Sequence, residues 1–66
     1  MKGGEMIYEK ILALCKSRGV TIHAVERACG IGNGVIGGWR EKTPRVDILH
    51  AVANYFGVTV DYFLRE

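Results

Sequence analysis

Arg40, Lys42 and Arg45 stand around Thr43 and Pro44, which places three cationic side chains and a hydroxyl within one short loop. Groups of these types donate hydrogen bonds to phosphate oxygens. The same residues also make an ordinary solvated loop. No bond-making chemistry is legible beside them. The chain lacks a nucleophile paired with a base, a carboxylate pair and a metal-ligand set, so no enzyme activity is expected. Gly32-Asn33-Gly34 lies in a glycine-rich run but has neither the preceding strand nor the lysine of a nucleotide-cradling loop. Cys15 and Cys29 are too few for a disulfide scaffold and lack the short paired spacing of zinc sites, so they read as small buried hydrophobes, with a Cys15–Cys29 redox switch as the minor alternative. His23 has no partner at ligand spacing and reads as a surface residue, as does His50. No cofactor is implied.

The elements that must position the basic loop follow from spacing. Thr21 is a good N-cap, and Val25, Ala28 and Cys29 place small and apolar groups on one face of a helix ending near Cys29, with His23, Glu26 and Arg27 outside. Gly30 suits the left-handed turn, Ile31 returns to the core, and Val35, Ile36 and Trp39 predict a second helix. A tight helical corner of this kind is a helix-turn-helix, whose second helix can enter a DNA major groove. Ahead of it, Ile7, Ile11 and Leu14 predict a helix over Met6 to Ser17, with Tyr8, Leu12 and Cys15 on a second flank and Lys10 outside. Behind it, Pro44 leads into a helix from Val46 to about Phe56, and Gly57 closes it. Thr59 then caps a short last helix packed by Val60, Phe63 and Leu64. The sum is an all-α, compact five-helix domain over residues 6–66, after a disordered start at 1–5.

In this order and spacing the residues resemble the lambda-repressor-like, or Cro-type, helix-turn-helix proteins of bacteria and phage, also called the XRE family. The resemblance covers nearly the whole chain. It rests on Gly19-Val20-Thr21, Val25, Gly30-Ile31, Asn33-Gly34-x-Ile36-x-x-Trp39, Pro44, and the closing run from Ala53 to Leu64. The resemblance implies a small sequence-specific DNA-binding transcriptional regulator, a repressor of phage or mobile-element type, with double-stranded DNA as its partner. It places Thr21 and Ile22 at the start of the motif against phosphate, although Ile22 stands where the family often has a polar residue. It places Gly32, Asn33, Gly34, Gly37 and Gly38 where the family caps the reading helix, touches phosphates and reads base edges. Two readings of these glycines stay open. They either thin the helix for close approach, leaving Asn33 to bond adenine through its amide, or they mark a surface that has lost most base readout, which then binds DNA weakly through shape and phosphates or serves a protein partner, the chain being an anti-repressor or a partner of a larger regulator. Arg40, Lys42, Thr43 and Arg45 are the expected phosphate contacts.

Composition sets the remaining bounds. Sixty-six residues make one domain of marginal core size. No apolar run approaches the roughly 20 residues of a membrane span, and no secretion signal is visible, so a cytoplasmic protein is expected. Net charge is only +2, yet seven lysines and arginines face two glutamates between Lys10 and Arg45, while Val46 to Leu64 carries only Asp47 and Asp61. A basic surface backed by an apolar one suits DNA on one side and protein on the other. If the protein is a homodimer, Tyr55, Tyr62 and Phe63 are candidates for its interface; equally, these rings complete the core.

Overall fold

Among the described residues there are four α-helices and one 3₁₀ turn: α1 Glu5–Arg18, α2 Ile22–Cys29, the 3₁₀ turn Gly37–Arg40, α3 Val46–Phe56 and α4 Val60–Leu64. The computed structural model describes residues 5–65, and no strand occurs among them. Of the expected disordered start, positions 1–4 lie outside the described residues, and Glu5 belongs to α1. An acidic residue there suits the positive end of the helix dipole, as Lys16 and Arg18 suit the other end.

The fold is all-helical, but the expected five-helix count is not met. The stretch predicted as the second helix of the motif forms a turn over residues 33–36 followed by the single 3₁₀ turn. Glycine explains this. Each glycine inside an α-helix costs about 0.5–1 kcal/mol relative to alanine, and Gly34, Gly37 and Gly38 all fall in this short stretch. Docking of Ile36 and Trp39 into the core survives without the helix, with Ile36 at 0% and Trp39 at 4% exposure.

The packing centre is α1, which touches α2, the 3₁₀ turn and α4, while α3 packs on α2 and α4. Ile11, Val25, Ile36, Val52 and Phe63 are the largest side chains wholly removed from water. Two expectations change here: Leu12 and Leu64 are exposed, not packed. Phe63 is wholly buried, as its packing role in the last helix required, and of its two readings the core one holds. Tyr55 and Tyr62 remain exposed.

Two of the cations in the basic stretch are used inside the molecule. Arg18 Nη2 donates to the Phe56 carbonyl at 2.9 Å, with its guanidinium 5.7 Å from the Phe56 ring centre. Lys10, expected outside, donates from Nζ to the carbonyls of Tyr62, at 2.9 Å, and Arg65. Both sit on carbonyls at helix C-termini, where the backbone has no partner of its own and the dipole is negative. The basic charge available to a ligand therefore contracts towards the loop after Trp39.

Candidate nucleic-acid interface

The corner that opens the site is built by local chemistry. Thr21 Oγ1 accepts from the Ala24 amide at 3.0 Å and starts α2. Gly30, at φ 70°, ends it: its amide bonds the Arg27 carbonyl at 3.2 Å and the Ile31 amide bonds the Glu26 carbonyl at 3.0 Å. This pair of reversed bonds is the Schellman arrangement, which needs the left-handed conformation that glycine adopts at little cost. Ile22 is half-buried and packs against the core, so its side chain offers no phosphate contact. It helps line a groove of about 450 Å³ between α1 and α2 with Leu12, Val20 and Thr21.

Beyond Ile31, as far as Lys42, bonds three residues back outnumber α-helical ones, although Gly38 N also bonds Gly34 O, four back, at 3.1 Å. Trp39 N bonds Ile36 O at 3.0 Å and Val35 N bonds Gly32 O at 3.3 Å, each three residues back. Gly34 sits at φ +86°. A side chain at this position would be strained by about 1–2 kcal/mol. Asn33, beside it, is exposed. Its amide is the one polar side chain in the run from Gly32 to Trp39.

Glu26 holds this turn, and its placement overturns the expectation that it lies on the outer side of α2. Its side chain is 3% exposed. Oε1 accepts from the Gly34 amide at 3.1 Å and Oε2 from the Ile36 amide at 3.0 Å. His23 Nδ1 stands 4.0 Å from Oε1, on a side chain 59% exposed. Hydrogen bonds to a charged group contribute about 1.5–3 kcal/mol each. The two Glu26 bonds thus offset what the glycines fail to supply. They also occupy the backbone donors that a phosphate would seek at the start of this segment, and they put a carboxylate there.

Exposed groups able to bond an anion lie at the other end. Gly34 and Gly38 form part of the floor of a groove of about 250 Å³, with Val35, Trp39 and Ile48 as apolar walls and Lys42, Thr43 and Arg45 around it. Lys42, Thr43 and Arg45 are exposed, while Pro44 between them is buried and fixes the loop. Arg45 Nε lies 3.4 Å from Asp47 Oδ1, an ion pair with both side chains at least 70% exposed. Such a pair holds by at most about 1 kcal/mol and yields readily to a phosphate. Arg40 does not line the groove; its guanidinium lies 5.6 Å from the Tyr8 ring centre. The structure therefore brings together Gly34, Gly38, Lys42, Thr43 and Arg45 of the expected site. It leaves Thr21 and Ile22 on a separate groove, and Gly32, Asn33, Gly37 and Arg40 on neither.

Nothing inside the protein requires glycine at two of these positions. At Gly37 and Gly38 φ is not positive, and an added Cβ would meet no atom within 4 Å. Gly37→Ala and Gly38→Ala are each expected to raise folding stability by about 0.4–1 kcal/mol through the unfolded chain, read as a higher urea midpoint. Gly34→Ala should lower it.

No group of three or more His, Cys, Asp or Glu among the described residues could hold a metal ion. Cys15 is buried and Cys29 half-buried, its thiol directed at the Ala51 carbonyl at 3.6 Å, and both are free. Burial pushes both thiols above their ordinary pKa, which disfavours the reactive thiolate. Set against models of known protein families, curated proteins and solved structures, the chain matches none of them.

Proposed function

We propose that this protein is a small sequence-specific DNA-binding transcriptional regulator of the lambda-repressor-like, Cro-type kind, acting in the cytoplasm as a repressor by occupying operator DNA. The observation that carries this reading is the glycine-floored groove beside Lys42, Thr43 and Arg45. Gly38, which nothing inside the protein requires to be glycine, lets another molecule approach the backbone closely, and the cations beside it suit an anionic one. No helix among the described residues is long and apolar enough to cross a membrane, which agrees with a partner in solution. Lys42, Thr43 and Arg45 hold the phosphates, and Asn33 faces a base edge. The longest dimension of one copy is 27 Å. Reading two major-groove faces, about 34 Å apart on one side of the duplex, takes two copies and a near-palindromic operator.

The test is titration of a randomised duplex pool by fluorescence anisotropy at two salt concentrations, followed by sequencing of what is retained. An enriched inverted repeat with steep salt dependence is the expected result. Lys42→Ala should weaken binding to all sequences alike and reduce the slope of log K against log salt by about 0.9, the loss of one phosphate contact. An unchanged slope would remove Lys42 from the interface. Gly38→Ala should weaken binding while it stabilises the fold, since its added methyl enters the groove.

A second reading, a protein-interaction module acting as an anti-repressor or as the partner of a larger regulator, draws on two observations. The reading segment is not an α-helix, and Ile22 replaces a polar side chain with a half-buried apolar one. Tight binding to a protein partner with no preference among duplexes would establish it.

A further inference from the structure

Resting on the DNA-binding reading, we propose that Glu26 is the positioning residue of the reading segment. Its buried carboxylate, in place of α-helical bonding, fixes how residues 33–36 leave α2 and thereby the direction in which Asn33 is presented. A charged side chain that is 3% exposed usually has a purpose that an apolar residue could not serve. Here both carboxylate oxygens are used, each on a different backbone amide, and the two amides flank Val35. Gly34 lies between Asn33 and Val35 with a left-handed φ, so the chain direction at Asn33 is set where the first of these bonds is made. The second bond reaches Ile36, whose side chain is wholly buried. One carboxylate therefore ties the exposed reading residue to the core through a backbone that glycine would otherwise leave free.

The same geometry divides the site electrically. The amides near the start of the segment are satisfied by a negative charge, so a phosphate is excluded there and docks beside Lys42, Thr43 and Arg45. This fixes the polarity of the segment on the duplex: Asn33 towards the bases, the loop towards the backbone. His23 Nδ1 lies 4.0 Å from Oε1, on a side chain 59% exposed, so this titratable group faces the carboxylate from the solvent side.

Amide hydrogen exchange followed by NMR on the intact protein tests the latch without DNA. In the wild type, the Gly34 and Ile36 amides are expected to be protected at least as well as that of Val35. Glu26→Gln keeps the size of the side chain but has a single acceptor oxygen. It should speed exchange at Gly34 or Ile36 by about tenfold or more while amides of α1 and α3 keep their protection, a local opening and not a global one. Its affinity ratio between selected and scrambled duplexes should fall by a similar factor, with the salt slope retained. If Glu26→Gln fails to fold, the wild-type protection pattern decides: free exchange at both amides overturns the latch. Unchanged exchange in a folded Glu26→Gln also overturns it. A loosened segment with full duplex discrimination overturns the positioning role and leaves DNA binding intact. A wild type that prefers no duplex overturns the DNA reading alone, and the exchange data still decide the latch.

Discussion

Trp39→Ala is expected to lose about 3–5 kcal/mol of folding stability, the usual cost of deleting a large buried aromatic ring. A core in a chain this short rarely supplies more than about 3–5 kcal/mol in total, so the variant should be largely unfolded at room temperature. Trp39 carries this weight because it belongs to the least regular part of the structure. The 3₁₀ turn holds its own backbone through a few short-range bonds, it packs on α1, and its tryptophan is 4% exposed. Circular dichroism during urea titration is the proper measurement, since the variant loses the sole tryptophan fluorophore. Trp39→Phe keeps a ring in the site and should retain a cooperative transition. A wild-type urea midpoint for Trp39→Ala would mean that the turn is not docked as described.

How much of this was legible beforehand depends on how far apart the interacting groups lie. The sequence-based reading of α3 agrees with the structure because its signals are local: Pro44 before it, Asp47 in its first turn, apolar residues at helical spacing, and Gly57 with φ 72° after it. Thr21 and Thr59 likewise cap helices through amides three residues on. Glu26 was misread for the opposite reason. A glutamate beside Val25 at a helical position looks solvated, and its burial becomes sensible only with amide donors eight and ten residues downstream. The glycine run was the available clue, since a backbone that cannot hold a helix needs another acceptor. Lys10 and Arg18 bond carbonyls 52 and 38 residues away, a separation at which periodicity carries no information. Charge counted along the chain therefore overstated the basic face. Five of the seven cations remain, Lys16 on α1, Arg27 on α2, and Arg40, Lys42 and Arg45 near the buried Pro44.

Phe63→Ala is expected to cost about 3–5 kcal/mol as well, although the residue stands near the end of the chain, where substitutions are ordinarily mild. The last helix, α4, has only five residues, and isolated helices shorter than about 12–15 residues are marginal in water. Its order comes from outside itself. Thr59 caps it, Lys10 satisfies carbonyls at its far end, and Phe63 enters the core with 0% exposure. Losing the ring should therefore release α4 and uncover the face of α1 beneath it. Tyr62, its neighbour, provides the contrast. It is 42% exposed, and its ring stands 5.6 Å from the Lys10 ammonium, a contact of about 0.5–1 kcal/mol at an exposed site. Tyr62→Ala should accordingly lower the urea midpoint only slightly. If two copies meet through the exposed side of α4 on DNA, that same variant should bind a palindromic duplex with weaker concentration dependence while binding a half-site unchanged. Sedimentation of the two variants against wild type separates core from interface: Phe63→Ala loses the fold, and Tyr62→Ala keeps it, losing a partner only if α4 is the interface.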